Sequence, residues 1–252
     1  MLTLNITTAS ISQKHQRQNN QDYFAYIWEN PYGCWIVADG LGGHRGGEVA
    51  SKLAAESVMD AFKNQWEVSY EAIYSYLQAA QMTLLNHQRE QPILSEMRTT
   101  AILLLINKYN AVWGHAGDTR LYLFRNNRII FQTKDHSVAQ SLANSGEIKP
   151  EEVRFHEDRH RLLRALGQEG DFRPTILQKE YVLQGGDAFL LCTDGFWELV
   201  LESEMESDLI ESATSQGWLD KMHRRIMERA SNNIKKNHDN YTALTIFITN
   251  NK

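Results

Sequence analysis

Five aspartates stand where apolar runs of this chain begin or end. Asp39 follows Trp35, Ile36 and Val37 and opens onto Gly40, Gly42, Gly43, Gly46 and Gly47, five glycines in eight residues. Asp194 follows the apolar run AFLLC (188–192) and precedes Gly195. Asp22 stands just before YFAYI (23–27), Asp239 just before the last apolar run, and Asp118 at a glycine turn between two runs. One such aspartate is ordinarily a turn former or a cap. Five of them, two in a repeated strand-then-Asp-Gly setting, point to oxygen chemistry. If the carboxylates converge, each pair at about 5 Å repels by roughly 3 kcal/mol at an effective dielectric of about 20. Hard divalent cations such as Mg²⁺ or Mn²⁺ relieve this with carboxylate, carbonyl and water oxygens. No His/Cys cluster carries zinc spacing. Bare backbone beside Asp39 suits a loop that a ligand must approach closely. Spacing alone does not show convergence, so the residues by themselves reach a soluble α+β domain with a candidate metal site.

The elements that must position these acids are legible in outline. Strands are expected at YFAYI (23–27), CWIVA (34–38, ending at Asp39), TTAILLLI (99–106), NAVWGHA (110–116), RLYLF (120–124), RIIFQ (128–132), AFLLC (188–192) and ALTIFI (243–248). Lys108-Tyr109-Asn110 and Arg125-Asn126-Asn127 are short polar breaks that predict hairpins, hence antiparallel sheet. Helical patterns cover about 47–64, 70–90, 137–145 and 205–234, the last with a break near Gly217. Ile73, Leu77, Ala80 and Leu84 mark one helix face, and Leu219, Met222, Ile226 and Ala230 another. Long amphipathic helices have to cover sheet faces, which gives one α+β domain of layered sheets and helices.

Composition narrows the function. The chain has 252 residues, 42% hydrophobic and 23% charged, ordinary values for a globular protein. A net charge of −5 argues against a nucleic-acid binder, which shows a basic stripe, and suits a protein holding cations on carboxylates. The two cysteines, Cys34 and Cys192, lie inside apolar runs and are expected buried and reduced. The N-terminus lacks a basic start and a long apolar stretch, so no signal peptide is expected. AILLLI (101–106) is far too short for the ~20 residues of a membrane span. A cytoplasmic protein without nucleic-acid or membrane partners is the expectation.

Taken together the motifs resemble the metal-dependent protein phosphatase family of the protein phosphatase 2C type. The matching stretches, in the family's order, are RQNNQD (17–22), VADGLGGHRGGEVAS (37–51), TTA (99–101), GHAGDTRLY (114–122), TKDHS (133–137), LLCTDGFW (190–197) and DNYTALTI (239–246). Between them, residues 141–167 resemble the flap of the compact bacterial members. The resemblance spans about residues 5 to 249. It implies an α+β, four-layer sandwich, two antiparallel β-sheets flanked by helix pairs, forming a single catalytic domain over 1–252 with a flap at about 137–167. It implies Mn²⁺ or Mg²⁺, two ions with a third, weaker one. Asp39 would bridge two ions and the Gly40 carbonyl would reach one. Asp194 and Asp239 would complete the first ion's shell with waters, Asp22 would lie on the other ion's side, mostly through water, and Asp118 resembles the acid at the third. Arg17 matches the arginine that grips the substrate phosphate, a fork suited to two oxygens. Asn240 would orient the last acid. The implied reaction is hydrolysis of phosphoserine or phosphothreonine on proteins by a metal-bridging water, without a covalent phosphoenzyme. The implied partners are phosphoproteins, those of a serine/threonine kinase, and the implied state is a monomer.

The chain departs from the family pattern at a few positions. Leu41 lies where many eukaryotic members carry a histidine, which leaves His44 as one candidate proton donor. Gln21 replaces an acid, Arg98 stands where glycine is usual before TTA, and Thr119 and Thr193 replace serines. His136 reads as a structural hydrogen-bonding residue. The basic run RFHEDRHRLLR (154–164) reads as a solvated flap that helps choose substrates. Trp35, Trp113 and Trp197 read as core. Two alternatives compete with the phosphatase: a pseudophosphatase acting as a binding module, and a phosphoesterase for nucleotides or nucleic acid.

Overall fold

The computed structural model describes residues 4–41, 46–232 and 239–250. In chain order the elements are β1 (Leu4–Gln13), β2 (Asp22–Glu29), β3 (Tyr32–Leu41), α1 (Gly47–Gln65), α2 (Tyr70–Glu90), β4 (Arg98–Thr99), β5 (Ala101–Ile106), β6 (Asn110–Ala116), β7 (Arg120–Arg125) and β8 (Arg128–Gln132). After these come α3 (Val138–Ser145), β9 (Thr175–Ile176), β10 (Tyr181–Val182), β11 (Ala188–Cys192), α4 (Asp194–Trp197), α5 (Glu202–Ile210), α6 (Ser215–Asn232) and β12 (Tyr241–Asn250).

Every strand pairing is antiparallel. One sheet has the order β1-β12-β11-β7-β8, the other β10-β6-β5-β3-β2, with β4 added to β3 and β9 to β6. Strand side chains alternate between faces, and here both faces are buried. In β5, Ala101, Leu103 and Leu105 turn to a core shared with α1 and α2, while Ile102, Leu104 and Ile106 turn to the core between the sheets. In β11, Ala188, Leu190 and Cys192 pack with α4, α5 and α6, while Phe189 and Leu191 face the other sheet. Three cores therefore separate four layers, helices–sheet–sheet–helices. That is the expected sandwich, and the fully apolar runs AILLLI and AFLLC are its two-sided strands.

Local chemistry sets the connections. Asn126 (φ 52°) and Asn127 (φ 60°) form the two-residue loop of the β7–β8 hairpin, where a turn with positive φ at both positions matches the strand twist. Ser69 caps α2 by accepting the Ala72 N–H at 3.0 Å, and Ser137 caps α3 through Gln140.

Three expectations change. The helix expected at 205–234 is two helices, with the break at 211–214 instead of Gly217. Thr214 Oγ1 accepts the Gly217 N–H at 3.0 Å, so Gly217 lies in the capped first turn of α6. β1 was not anticipated, because LNITTASISQ has only sparse apolar residues. It is an end strand held by a ten-residue register with β12, from Leu4↔Asn250 to Gln13↔Tyr241. β3 does not stop at Asp39 but runs on through Gly40 and Leu41, which pair with Thr99 and Arg98. Trp35, Trp113 and Trp197 are core, and Cys34 and Cys192 are buried free thiols in separate cores. No helix among the described residues is long and apolar enough to cross a membrane.

Candidate active site

The five aspartates arrive at one edge of the sandwich from five separate places in the chain. Asp22 opens β2 and lies directly opposite Asp39 of β3 in the strand register. Like charges facing each other across a strand pair are unfavourable without a counter-charge. Asp118 sits in the β6–β7 turn, Asp194 opens α4 straight after β11, and Asp239 precedes β12. Their fields reach one another. Asp39 is pushed well above the usual carboxylate range, first by burial and then by the charges of Asp22, Asp194, Asp118 and Asp239. Asp118 is pushed up likewise by burial, Asp194 and Asp135. Burial, aided by Asp194 and Asp239, lifts Asp22 to about 7 against the hydroxyls of Thr242 and Thr193 that favour its anion.

The surrounding motif residues hold the backbone. Thr99 Oγ1 donates to the Asp39 carbonyl at 2.9 Å, the Thr100 N–H does so at 2.8 Å, and the Asp39 N–H donates to Thr100 Oγ1 at 3.1 Å. Thr100 and Thr119 share a short hydroxyl contact. Thr193 Oγ1 donates to Asp22 Oδ2 at 2.9 Å and accepts the Thr242 N–H, so the threonine does what a serine hydroxyl would do. Two glycines are sterically required. A Cβ on Gly40 would lie 2.0 Å from the Gly47 carbonyl oxygen, and one on Gly195 would lie 1.9 Å from that of Asn240. The Gly40 N–H donates to the Gln21 carbonyl at 3.0 Å.

Asn240 works differently from expectation. Its backbone N–H donates to Asp239 Oδ1 at 2.8 Å. Its side chain instead clamps the Arg17 loop, accepting from Gln21 N–H and donating to the carbonyls of Lys14 and Asn19. Arg17 pairs with Asp239 at 2.8 Å, with both side chains about half exposed (45% and 44%). Asp22, Asp39, Gly40, Asp118, Asp194, Asp239 and Arg17 are thus gathered in one region. His44, with Gly42 and Gly43, lies outside the described residues.

One participant was missed in the sequence. His160, within the basic run 154–164, places Nδ1 3.2 Å from Asp194 Oδ2 and Nε2 3.7 Å from Glu198 Oε1. Hydrogen bonding to Asp194, opposed by partial burial, raises its pKa. It was hidden in a basic run read as solvated. That reading is corrected for part of the run: Arg154 is buried and pairs with Glu202 at 2.6 Å, and Arg159 pairs with Glu198 at 2.5 Å. A charged run can anchor a flap when acids of α5 and the α4–α5 loop lie beneath it. His136 is structural as expected. Its Nδ1 accepts the Gly117 N–H at 3.2 Å, its ring stacks on His115, and burial drives its pKa down to about 3.

The donor set fits hard divalent ions. The five aspartates and the Gly40 carbonyl offer only oxygen, and Asp22 Oδ1 is buried without a hydrogen-bond partner, a cost that an ionised carboxylate offsets with a counter-charge.

The protein phosphatase 2C model matches residues 11–238. The chain belongs to the protein phosphatase 2C family. It is 34% identical over 207 residues to the serine/threonine phosphatase stp of Listeria welshimeri, covering 80% of each chain. Among solved structures it resembles the Mycobacterium tuberculosis serine/threonine phosphatase PstP/Ppp at 25% identity and a TM-score of 0.83, covering 99% of this chain and 100% of that one. The catalytic domain of PstP in complex with two manganese ions aligns at 25% identity and a TM-score of 0.81, covering 98% and 100%. The phosphatase 2C sandwich of these relatives is the four-layer fold described above.

Proposed function

We propose that this chain hydrolyses phosphoserine and phosphothreonine on proteins with two Mn²⁺ or Mg²⁺ ions, a third binding more weakly. The class follows from the family: the chain is a metal-dependent serine/threonine protein phosphatase, and its relatives bear phosphatase names. Phosphoproteins are its substrate class. The observation that carries the finer reading is the convergence of five aspartates from five chain segments, with Asp22 Oδ1 unpartnered and Asp39 repelled by four neighbours.

Asp39 would serve two ions and the Gly40 carbonyl would reach one of them; Asp194 and Asp239 would complete the first ion's shell, Asp22 would lie on the other ion's side, and Asp118 would serve the third. Bound ions of this kind supply a water that ionises near neutral pH and neutralise charge on a phosphoryl group. The chain's own residues supply the rest. Thr99 and Thr100 stop Asp39 from shifting. The guanidinium of Arg17, paired with Asp239 in this structure, would grip two phosphoryl oxygens as a fork and so stabilise charge built up during in-line attack. Cys34 and Cys192 are buried, and burial raises both thiols, so neither serves as a nucleophile. The acid set is intact and the relatives are named as phosphatases, which leaves the pseudophosphatase without support.

The reading extends to one catalytic domain over 1–252 with a flap at about 137–167, a cytoplasmic monomer, and substrates phosphorylated by a serine/threonine kinase. The test is hydrolysis of a phosphothreonine peptide with Mn²⁺, with EDTA and by Asp39→Asn. Turnover with Mn²⁺ that disappears with EDTA and falls about a thousandfold in the variant supports it, since ions of this kind stabilise the transition state by several kcal/mol. Turnover that survives EDTA would refute it.

A further inference from the structure

We propose that Arg98 is a specificity-determining residue that takes an anionic group of the substrate, a carboxylate or a second phosphate, close along the chain to the phosphoresidue. This rests on the phosphatase reading above. Arg98 opens β4 and pairs with Leu41, two residues beyond Asp39 on β3. The next residue, Thr99, donates its hydroxyl to the Asp39 carbonyl at 2.9 Å. The backbone that carries Arg98 is therefore pinned to the backbone that carries Asp39. Diagonal neighbours on paired strands stand about 7–8 Å apart, a distance that a long arginine side chain spans. An extended peptide advances about 3.3–3.6 Å per residue. A substrate residue one to three positions from one held at Asp39 thus comes within reach of the Arg98 guanidinium.

This guanidinium is poorly committed. Its ion pair is with Glu96 at 3.3 Å, and Glu96 is 83% exposed. Its Nε is shut off from solvent and has no hydrogen-bond partner. Arg120, Arg125 and Arg225, by contrast, are each forked onto a buried aspartate. An ion pair as exposed as Arg98–Glu96 holds its partners loosely, so an incoming anion can displace Glu96. Arg98 also lines a cavity of about 490 Å³ together with Gln88, Arg89, Glu96, Gln168 and Glu169. Gln88 is committed to the carbonyls of Met97 and Gly167, so Arg98 and Arg89 are the cations this cavity can turn to an anion. Without Arg98, the five aspartates would disfavour a substrate with acidic neighbours. Arg98 reverses that local preference.

The experiment measures kcat/KM of the Mn²⁺-loaded full chain on phosphothreonine peptides of one sequence. They carry Glu, Gln, Lys or phosphoserine at each of three positions on either side. The readout is the ratio of acidic to Gln peptide within each variant, so that changes in basal activity cancel. Wild type should favour an anionic neighbour by about three- to fivefold, the size of an exposed ion pair, chiefly through KM. Arg98→Lys should keep the preference, Arg98→Gln should abolish it, and Arg98→Glu should turn it toward the Lys peptide. The Glu and phosphoserine arms show which anion is read. A merely structural Arg98 would lower all peptides together and leave the ratio intact. That result, or a wild-type ratio of one with brisk hydrolysis, overturns this inference alone. No hydrolysis of any peptide would overturn the phosphatase reading and this inference with it.

Discussion

Asp135, Asp187 and Asp208 are buried as deeply as Asp22 and Asp118, yet the two groups handle their charge in opposite ways. Arg120 forks onto Asp135 at 2.8 and 2.8 Å, Arg125 onto Asp187 at 2.8 and 2.9 Å, and Arg225 onto Asp208 at 2.7 and 2.8 Å. Both carboxylate oxygens are satisfied in each case. At the candidate active site the acids face other acids. Asp22 has an unpartnered buried oxygen, and the arginine present, Arg17, pairs with the more exposed Asp239. The structural acids arrive with their counter-charges in the same chain. The acids of the candidate site lack such forks, and on the proposed reading bound cations would supply their counter-charge. Arg120 follows Asp118 by two residues, yet its fork is taken by Asp135 and its guanidinium lies 3.5 Å over the Trp197 ring, so its charge only partly offsets the forces that raise Asp118.

The contrast can be broken by swapping one acid in each region. Asp135→Asn should cost about 3–5 kcal/mol in denaturant unfolding, because Arg120 is left buried without its counter-charge. Asp39→Asn in EDTA should raise the unfolding midpoint, because it removes a repelling charge. A loss of stability in both would erase the distinction.

Metal sharpens it next. Mn²⁺ at a hundred times its Kd should add about 2.7 kcal/mol to the stability of the wild type, measured by thermal unfolding against EDTA. Asp39→Asn should show little of that gain.

The pH dependence follows with its sign. In the metal-free protein Asp22 titrates near 7 when folded and at 3.8 as an ordinary aspartate. Between these values the folded state holds the extra proton. Its stabilising share is therefore complete below about 3.8 and lost as pH rises through about 7. Asp39 and Asp118, also raised, act in the same direction. In EDTA the midpoint should be higher at pH 5 than at pH 8, and Mn²⁺ should cancel or reverse the difference, since it favours the ionised acids. A flat EDTA profile would contradict the crowding of these carboxylates.

The smallest effect belongs to Arg17. Its half-exposed pair with Asp239 should contribute less than about 1 kcal/mol, so Arg17→Lys should barely move the metal-free midpoint. The same variant should lower kcat/KM on a phosphopeptide, because an ammonium cannot grip two phosphoryl oxygens as a fork does. A large stability change would place Arg17 among the structural ion pairs.

Much of this was legible in one dimension. Strand identity could be read because two-sided burial demands unbroken apolar runs, as in AILLLI and AFLLC. Hairpins could be read because Asn126-Asn127 tolerates positive φ. The acids stood out because each interrupts such a run at its end, and the order of the motifs identified the family. β1 escaped because an end strand rich in threonine and serine is defined by its partner β12 and not by its own composition. His160 escaped because its flap neighbours look solvated until Arg154 and Arg159 find Glu202 and Glu198.

The sequence by itself determined the apolar interior strands, the long amphipathic helices and which residues could bear metal chemistry, because periodicity and side-chain type are local properties. The tertiary structure alone decided that Asp22 faces Asp39, that Asp118, Asp194 and Asp239 add their fields to that pair, and that the Arg120 fork closes on Asp135. Those outcomes depend on strand register and on the meeting of segments more than two hundred residues apart, as when Arg17 meets Asp239 across a separation of 222. Charge repulsion acts through space, and no spacing along the chain encodes it.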